Sequence, residues 1–213
     1  MKEFQVYFDG GIRPHPEGGF ARCYGWVIKA DGNSIKEGRA IEIGKDNVGS
    51  CSVEFDALAR AVLDMVACVR DAESISIYGD SRAVIDMCTG IGHPHTDDLL
   101  SKHTQISEMT RTFENLKFIW IPRELNAEAD KLGRIAFAEH TQQNDRIHLM
   151  NKVNVLARRY FGALYDSAIM TAWCLAMIGK RKLTNMSVGE LSILLNKVRE
   201  IPRLISVSEH LSY

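Results

Sequence analysis

The sequence predicts an α/β fold: a mixed five-stranded sheet of three antiparallel strands and then two parallel ones, flanked by helices and followed by a helical C-terminal segment. Three observations predict it. Residues 3–43 carry the two-residue alternation of strands, cut into three runs by Gly, Pro and an Asp31-Gly32 pair. Residues 53–69 switch to helical spacing, with an apolar stripe of Phe55, Leu58, Val62, Met65, Val66 and Val69. Beyond them, two short apolar runs at 75–78 and 117–121 are separated by helical stretches. Strands reached by helical crossovers lie parallel, because such crossovers are right-handed and pack back on the sheet.

Taken in order, residues 3–8 form the first strand, with Phe4, Val6 and Phe8 on one face. The loop expected after it is rich in Gly and Pro (Gly10, Gly11, Pro14, Pro16, Gly18, Gly19). Residues 20–29 and 34–43 make a hairpin across Asp31-Gly32, a pair suited to a tight turn. The helix over 53–69 leads to the strand 75–78 and a helix over 81–88, ended by Thr89-Gly90-Ile91-Gly92. A helix over 97–114 follows, then the strand 117–121, broken by Pro122, and a helix over 127–139. Helices are also predicted at 147–161, 164–178 and 188–198, the last opened by a capping box, Ser187-Val188-Gly189-Glu190. The chain thus divides into a domain over 1–140 and a C-terminal extension over 141–213.

Composition narrows the function classes. Hydrophobic residues make up 46% of the 213, enough for a sizeable core and against global disorder. The net charge of −1 hides an asymmetry. Residues 1–140 hold 16 Lys+Arg against 22 Asp+Glu, whereas residues 141–213 hold 10 against 5. An acidic body with a basic extension fits a metal site joined to a phosphate-contacting appendage. The five cysteines are scattered with no Cys-x-x-Cys pair, so neither a zinc site nor a disulfide partner is expected. The apolar stretch 168–179 is too short for a bilayer, and the Met-Lys-Glu-Phe start lacks the features of a signal peptide. A reducing, cytoplasmic location with no membrane partner is the expectation.

Four carboxylates stand where chemistry would need them. Asp9 and Asp80 lie at the carboxyl ends of neighbouring parallel strands, where open α/β sheets place ligands, while Glu54 and Asp130 approach from helices. Each alone has an ordinary use: Asp9 in a turn, Glu54 on a solvated face, Asp80 as a helix cap, Asp130 as a partner of Lys131 or Arg134. Asp56, Asp97 and Glu128 read as solvated faces. Four carboxylates at one point repel each other, so a fold tolerates them where cations neutralise them. Hard divalent ions such as Mg2+ take oxygen ligands, and paired metals suit phosphodiester hydrolysis. The pattern points to a metal-dependent nuclease.

Residues 1–140 resemble the type 1 ribonuclease H family, which cleaves RNA in RNA–DNA hybrids. The matching pieces are Phe8-Asp9-Gly10-Gly11 with Pro16 and Gly18-Gly19 behind it, Glu54 with Ala57-Leu58, Gly79-Asp80-Ser81, and Pro122-Arg123-Glu124-Leu125-Asn126 running into Ala129-Asp130-Lys131-Leu132. The resemblance implies an endoribonuclease using two Mg2+ ions, with Mn2+ as a substitute, that leaves a 5′ phosphate and a 3′ hydroxyl. Asp9 would bridge both ions, Glu54 and Asp80 would hold one, and Asp130 the other. Gly10, Gly11 and Asn126 belong to the motifs and would lie against the hybrid. Where many relatives have a histidine before the last helix, this chain has none, and Arg123 is the candidate for related work on phosphate or product. Gly49, Ser50 and Cys51 replace a Thr-Asn-Asn that contacts the hybrid backbone, and His15 replaces an asparagine in the first loop, so Ser50 and His15 remain candidate contacts.

The lysine-rich handle of some members is missing: residues 89–98 contain no Lys or Arg. Phosphate contacts supply most of the affinity for a duplex. Arg158, Arg159, Lys180, Arg181 and Lys182 of the basic extension are therefore expected to compensate, or the extension packs as a helical cap, as its apolar run from Ala168 to Ile178 with Trp173 favours. The same metal site acting on double-stranded RNA or junctions, and a non-catalytic binding module, are the alternative readings. Four retained like charges argue against the last.

Overall fold

The computed structural model describes residues 3–69, 74–161 and 167–210. Its first strands run further than the apolar alternation marks them. β1 (Glu3–Pro14), β2 (Phe20–Ala30) and β3 (Asn33–Gly44) form an antiparallel meander. Gly10 and Gly11, expected in a loop, are strand residues facing Tyr24 and Cys23. Backbone pairing extends the strand where glycine offers no side-chain pattern. Between β2 and β3, Asp31 and Gly32 both take positive φ (48° and 80°), the tight hairpin turn their pairing predicts.

β4 (Ser74–Gly79) pairs parallel with β1, ending at Tyr7↔Tyr78, and β5 (Leu116–Trp120) pairs parallel with β4. The order β3-β2-β1-β4-β5 is the mixed five-stranded sheet the sequence predicts. α1 (Ser50–Cys68), α2 (Arg82–Cys88) and α3 (Asp97–Thr110) connect the strands. The segment after β5 makes a 3-10 turn, Arg123–Asn126, that opens into α4 (Ala127–Phe161). α4 joins two helices expected separately at 127–139 and 147–161. The polar residues between them include no Gly or Pro, so nothing stops the backbone ladder.

The chain separates into two compact units, Met1–Glu139 and His140–Tyr213. In the first, Phe4, Val6 and Phe8 of β1 and Ile75 and Ile77 of β4 pack with Phe55, Leu58, Val62 and Met65 of α1. Truncating such a buried side chain costs about 2–5 kcal/mol. Val66, expected on this stripe, is exposed, because the buried face turns past it. Two acids expected on solvated faces have fixed partners. Asp56 accepts from Lys102 Nζ at 2.6 Å, and Glu128 pairs with Lys29 at 2.8 Å. Lys102 also donates to Ser52 Oγ at 2.7 Å, tying α3 to the start of α1.

The second unit has its own core: Val153 and Ala157 of α4, Cys174 of α5 (Ser167–Ile178), and Leu191, Leu194 and Val198 of α6 (Val188–His210). Residues 164–166 of the expected helix lie outside the described residues. The capping box forms in both directions. Ser187 N–H donates to the Glu190 carboxylate at 2.8 Å, and Glu190 N–H donates to Ser187 Oγ at 3.2 Å. All five cysteines are free, and among the described residues no helix is long and apolar enough to cross a membrane.

Candidate active site

Two close backbone approaches build the site. α1 crosses β1 at Gly10, where an added Cβ would lie 2.5 Å from the Val53 carbonyl oxygen. Only glycine admits the helix at this distance, and the approach lets Gly10 N–H donate to Glu54 Oε2 at 3.0 Å. α4 crosses β2 at Gly25, where a Cβ would lie 2.0 Å from the Ala129 carbonyl oxygen. Gly25 faces Asp9 in the β1–β2 register, so this contact brings Asp130 of α4 over the same strands. Asp9 stands two residues beyond the last β1–β4 pair, and Asp80 directly follows β4.

Oxygen atoms of Asp9, Glu54 and Asp80 consequently lie within 4.8 Å of one another. The donor set is all carboxylate, the chemistry of a hard divalent cation. Burial pushes the Asp9 carboxyl up to about 6, with Asp80 and Asp130 adding to the rise and Arg123 and Arg13 opposing it. Burial likewise pushes Glu54 up to about 9. Asp9 and Asp80 add to that rise, against the Gly10 N–H and Arg123. Such carboxyls retain protons until a cation replaces them, so the residues fit a divalent ion.

Asp130 stands apart from the close trio. It lies in the first turn of α4, where the helix dipole favours a carboxylate. Arg123 donates to its Oδ1 at 3.0 Å and Arg134 to its Oδ2 at 2.7 Å. All four carboxylates line one cavity of about 360 Å³, together with Gly10, Gly11, Ser50, Arg13, Arg123 and Arg134.

Asn126 is placed differently from its expected role. It is 1% exposed, and its side-chain NH2 donates to the Phe8 carbonyl at 2.8 Å and to Asp80 Oδ1 at 3.2 Å. Burial removes it from contact with nucleic acid and makes it a brace between β1, the end of β4 and the turn before α4. His15 is 8% exposed in the turn after β1, accepts from Glu17 N–H, and is not among the cavity's lining residues. In the second unit, Arg158, Arg159, Arg181 and Lys182 are exposed, whereas Lys180 is held by Glu190 at 2.7 Å.

Sequence reasoning missed Arg13, which sat in what read as a loop, and weighed Arg134 only as an ordinary partner of Asp130. The i,i+4 spacing from Asp130 was the available signal for Arg134. Trp120 gave none. It donates from its indole N–H to the Asp80 carbonyl at 3.0 Å, with the Arg82 guanidinium 4.1 Å over its ring, and so fixes the backbone at Asp80.

A mixed sheet with carboxylates converging at the ends of its central parallel strands defines a ribonuclease H-like fold. The chain belongs to the reverse transcriptase-like family, whose family model matches residues 21–136 and thus spans Glu54, Asp80 and Asp130. Among solved structures it is similar to ribonuclease H1 of the halophilic archaeon Halobacterium salinarum (26% identity, 64% of this chain and 98% of that one, TM-score 0.56). It is also similar to LC11-RNase H1, isolated from compost by a metagenomic approach (27% identity, 66% and 99%, TM-score 0.58). The latter enzyme has also been solved in complex with an RNA/DNA hybrid (26% identity, 65% and 99%, TM-score 0.57). The type 1 resemblance and the ribonuclease H class expected from the sequence are borne out by these matches.

Proposed function

We propose that the chain is a divalent-metal-dependent endoribonuclease that hydrolyses the RNA strand of RNA–DNA hybrids in the cytoplasm. The observation that carries this reading is the convergence of Asp9, Glu54 and Asp80 within 4.8 Å, in a cavity rimmed by three arginines. A phosphodiester needs its charge met, and guanidinium groups match phosphate oxygens bidentately. The hybrid seen with LC11-RNase H1 supports the choice of substrate.

Asp9, Glu54 and Asp80 would hold one Mg2+ or Mn2+, and Asp9 with Asp130 a second. Bound ions supply Lewis acidity to the phosphate and a water of lowered pKa. The protein's own groups do the rest. Asn126 and Trp120 hold Asp80 in place, and Gly10 N–H orients Glu54. Arg123 and Arg134, held on Asp130 in the free protein, turn to phosphate when it arrives and leave that carboxylate open to a cation. The RNA strand is distinguished by its 2′-hydroxyls, and the products carry a 5′ phosphate and a 3′ hydroxyl.

The test is cleavage of an end-labelled RNA–DNA hybrid in Mg2+, beside double-stranded and single-stranded RNA, with Asp9→Asn as control. Cleavage confined to the RNA of the hybrid and lost in Asp9→Asn is expected. Cleavage of double-stranded RNA in its place would transfer the same site to another substrate. A folded protein inert on all three in Mg2+ and Mn2+ would overturn the enzyme reading.

A further inference from the structure

The arginines near the carboxylate centre are held in two different ways. Arg123 and Arg134 donate to Asp130. Arg13, which lines the same cavity, is held on a ring: its guanidinium lies 5.9 Å from the centroid of Phe137 on α4. Arg82, two residues after Asp80, lies 4.1 Å from the centroid of the Trp120 ring at the end of β5. Among the described residues the ion pairs include neither Arg13 nor Arg82. Arg13 acts on Asp9 through its field, opposing the rise of that carboxyl. A cation–π contact reaches to about 6 Å and draws on the quadrupole of the ring. It fixes a guanidinium while leaving the planar N–H fork for an oxyanion. Trp120 is itself anchored, through its indole N–H on the Asp80 carbonyl at 3.0 Å.

The sheet order β3-β2-β1-β4-β5 puts these two arginines on opposite sides of the centre. Asp9 and Asp80 stand where the pairing of β1 with β4 ends. Arg13 faces Ala21 of β2, and its ring comes from α4, the helix that crosses β2 at Gly25. Arg82 follows β4, and its ring comes from β5. A strand of nucleic acid passing the carboxylates meets a ring-seated guanidinium on each flank. We propose that Arg13 and Arg82 grip the strand to be cut, each holding one phosphate, on opposite sides of the scissile one. They hold it in the ground state, whereas Arg123 and Arg134 reach phosphate only by leaving Asp130. The identity of the strand rests on the hybrid-cleaving reading, and the grip adds the contacts that place it. Contacts made equally in ground and transition states lower KM and leave kcat unchanged.

The experiment uses the full chain in two arms. In the first, protein carrying Asp9→Asn binds a labelled RNA–DNA hybrid in EDTA across a salt series, so that the grip is read without cleavage. Arg13→Gln and Arg82→Gln should each weaken binding about three- to tenfold and lower the salt slope by about 1, and the pair together by about 2. Lysine at either position should restore the slope, because the charge returns. Lys36→Gln removes an exposed cation on β3 and should stay within about twofold of the parent. Circular dichroism checks that every variant folds. In the second arm, protein with Asp9 intact cleaves the hybrid in Mg2+. Each variant should raise KM at least threefold and keep kcat within about twofold. A neutral 2′-O-methyl methylphosphonate linkage, compared with its charged counterpart, is moved along the RNA strand. Arg13→Gln should be indifferent to it on one side of the mapped cut and Arg82→Gln on the other. Trp120→Phe keeps a ring beside Arg82 but drops the N–H to the Asp80 carbonyl, so kcat should fall while the salt slope holds. An unchanged slope in either variant, a fall in kcat with KM unmoved, or indifference of both variants on the same side overturns the grip. A parent that shows these slopes but cuts nothing sinks the cleavage reading and leaves the grip standing. A parent that does not bind the hybrid overturns both.

Discussion

The two units each gather like charges, with opposite consequences. In the first, carboxylates are drawn in from two strands and two helices and are partly buried, so burial raises Asp9 to about 6 and Glu54 to about 9. In the second, exposed Arg158, Arg181 and Lys182 stand around an open cavity. The difference teaches what burial does to a charge cluster. Buried acids answer repulsion by taking up protons, and so couple metal binding to pH. Exposed guanidinium and ammonium groups are screened by solvent and salt instead.

The largest effect that would break this contrast is loss of the acidic cluster. Asp9→Asn is expected to lower hybrid cleavage by at least ~10³-fold, about 4 kcal/mol of barrier. The metal-free fold should not lose stability, since the substitution removes a repelling charge. Activity assays beside thermal melts in EDTA check both halves. A variant that both stops cleavage and unfolds early would mean that Asp9 is held by something other than mutual repulsion.

Next in size is the packing that brings Asp130 of α4 beside the trio. Gly25→Ala places a methyl 2.0 Å from the Ala129 carbonyl oxygen, and α4 cannot yield without carrying Asp130 with it. A loss of about 2–3 kcal/mol is expected from such overpacking, read by urea unfolding, with metal affinity falling in parallel. Gly11→Ala is the control, since nothing lies within 4 Å of its added Cβ.

The pH dependence sharpens the comparison directly. Unfolded Asp and Glu titrate near 4, and the folded protein holds these two protons to higher pH. The native state therefore binds more protons than the unfolded one between about pH 4 and 9. Metal-free stability contributed by this pair is present below that window and is lost as pH rises through it. Glu54→Gln should flatten the upper part of the profile. Binding of a divalent ion at pH 7 should release about one proton, chiefly from Glu54, measurable by calorimetry in buffers of different ionisation enthalpy. Release of none would mean that Glu54 is already ionised in the free protein.

Much of this was legible in the sequence, and the reasons are local. β1 and α1 write their buried faces plainly, through Phe4, Val6 and Phe8 and through Phe55, Leu58 and Met65. The Asp31-Gly32 turn follows from two residues that accept positive φ. The four carboxylates could be found because each stands beside a strand end or on a helix that the pattern locates. What stayed hidden depends on contacts between distant segments. The brace from Asn126 to Phe8 spans 118 residues, and the Lys102–Asp56 pair spans 46. No periodicity carries either. The length of α4 was missed for a different reason. Helices predicted from an apolar stripe stop where the stripe stops, while the backbone ladder needs only the absence of a breaker.

The smallest expected effect concerns whether the two units are energetically separate. Ser187 and Glu190 close a capping box that satisfies two N–H groups at the start of α6, and neither side chain belongs to the first unit. Ser187→Ala should cost about 1 kcal/mol. Hydrogen exchange resolves where that loss falls. If the units open independently, amides of α6 exchange about fivefold faster, while those of β1 and β4 keep their protection, because local opening draws only on the stability of its own cooperative segment. If protection falls by the same factor in the sheet, the 35-residue α4 transmits the loss and the chain unfolds as one body. The acidic centre and the basic cavity would then share one stability, and the separate responses to pH and salt argued above would have to be measured on the whole chain rather than assigned to its parts.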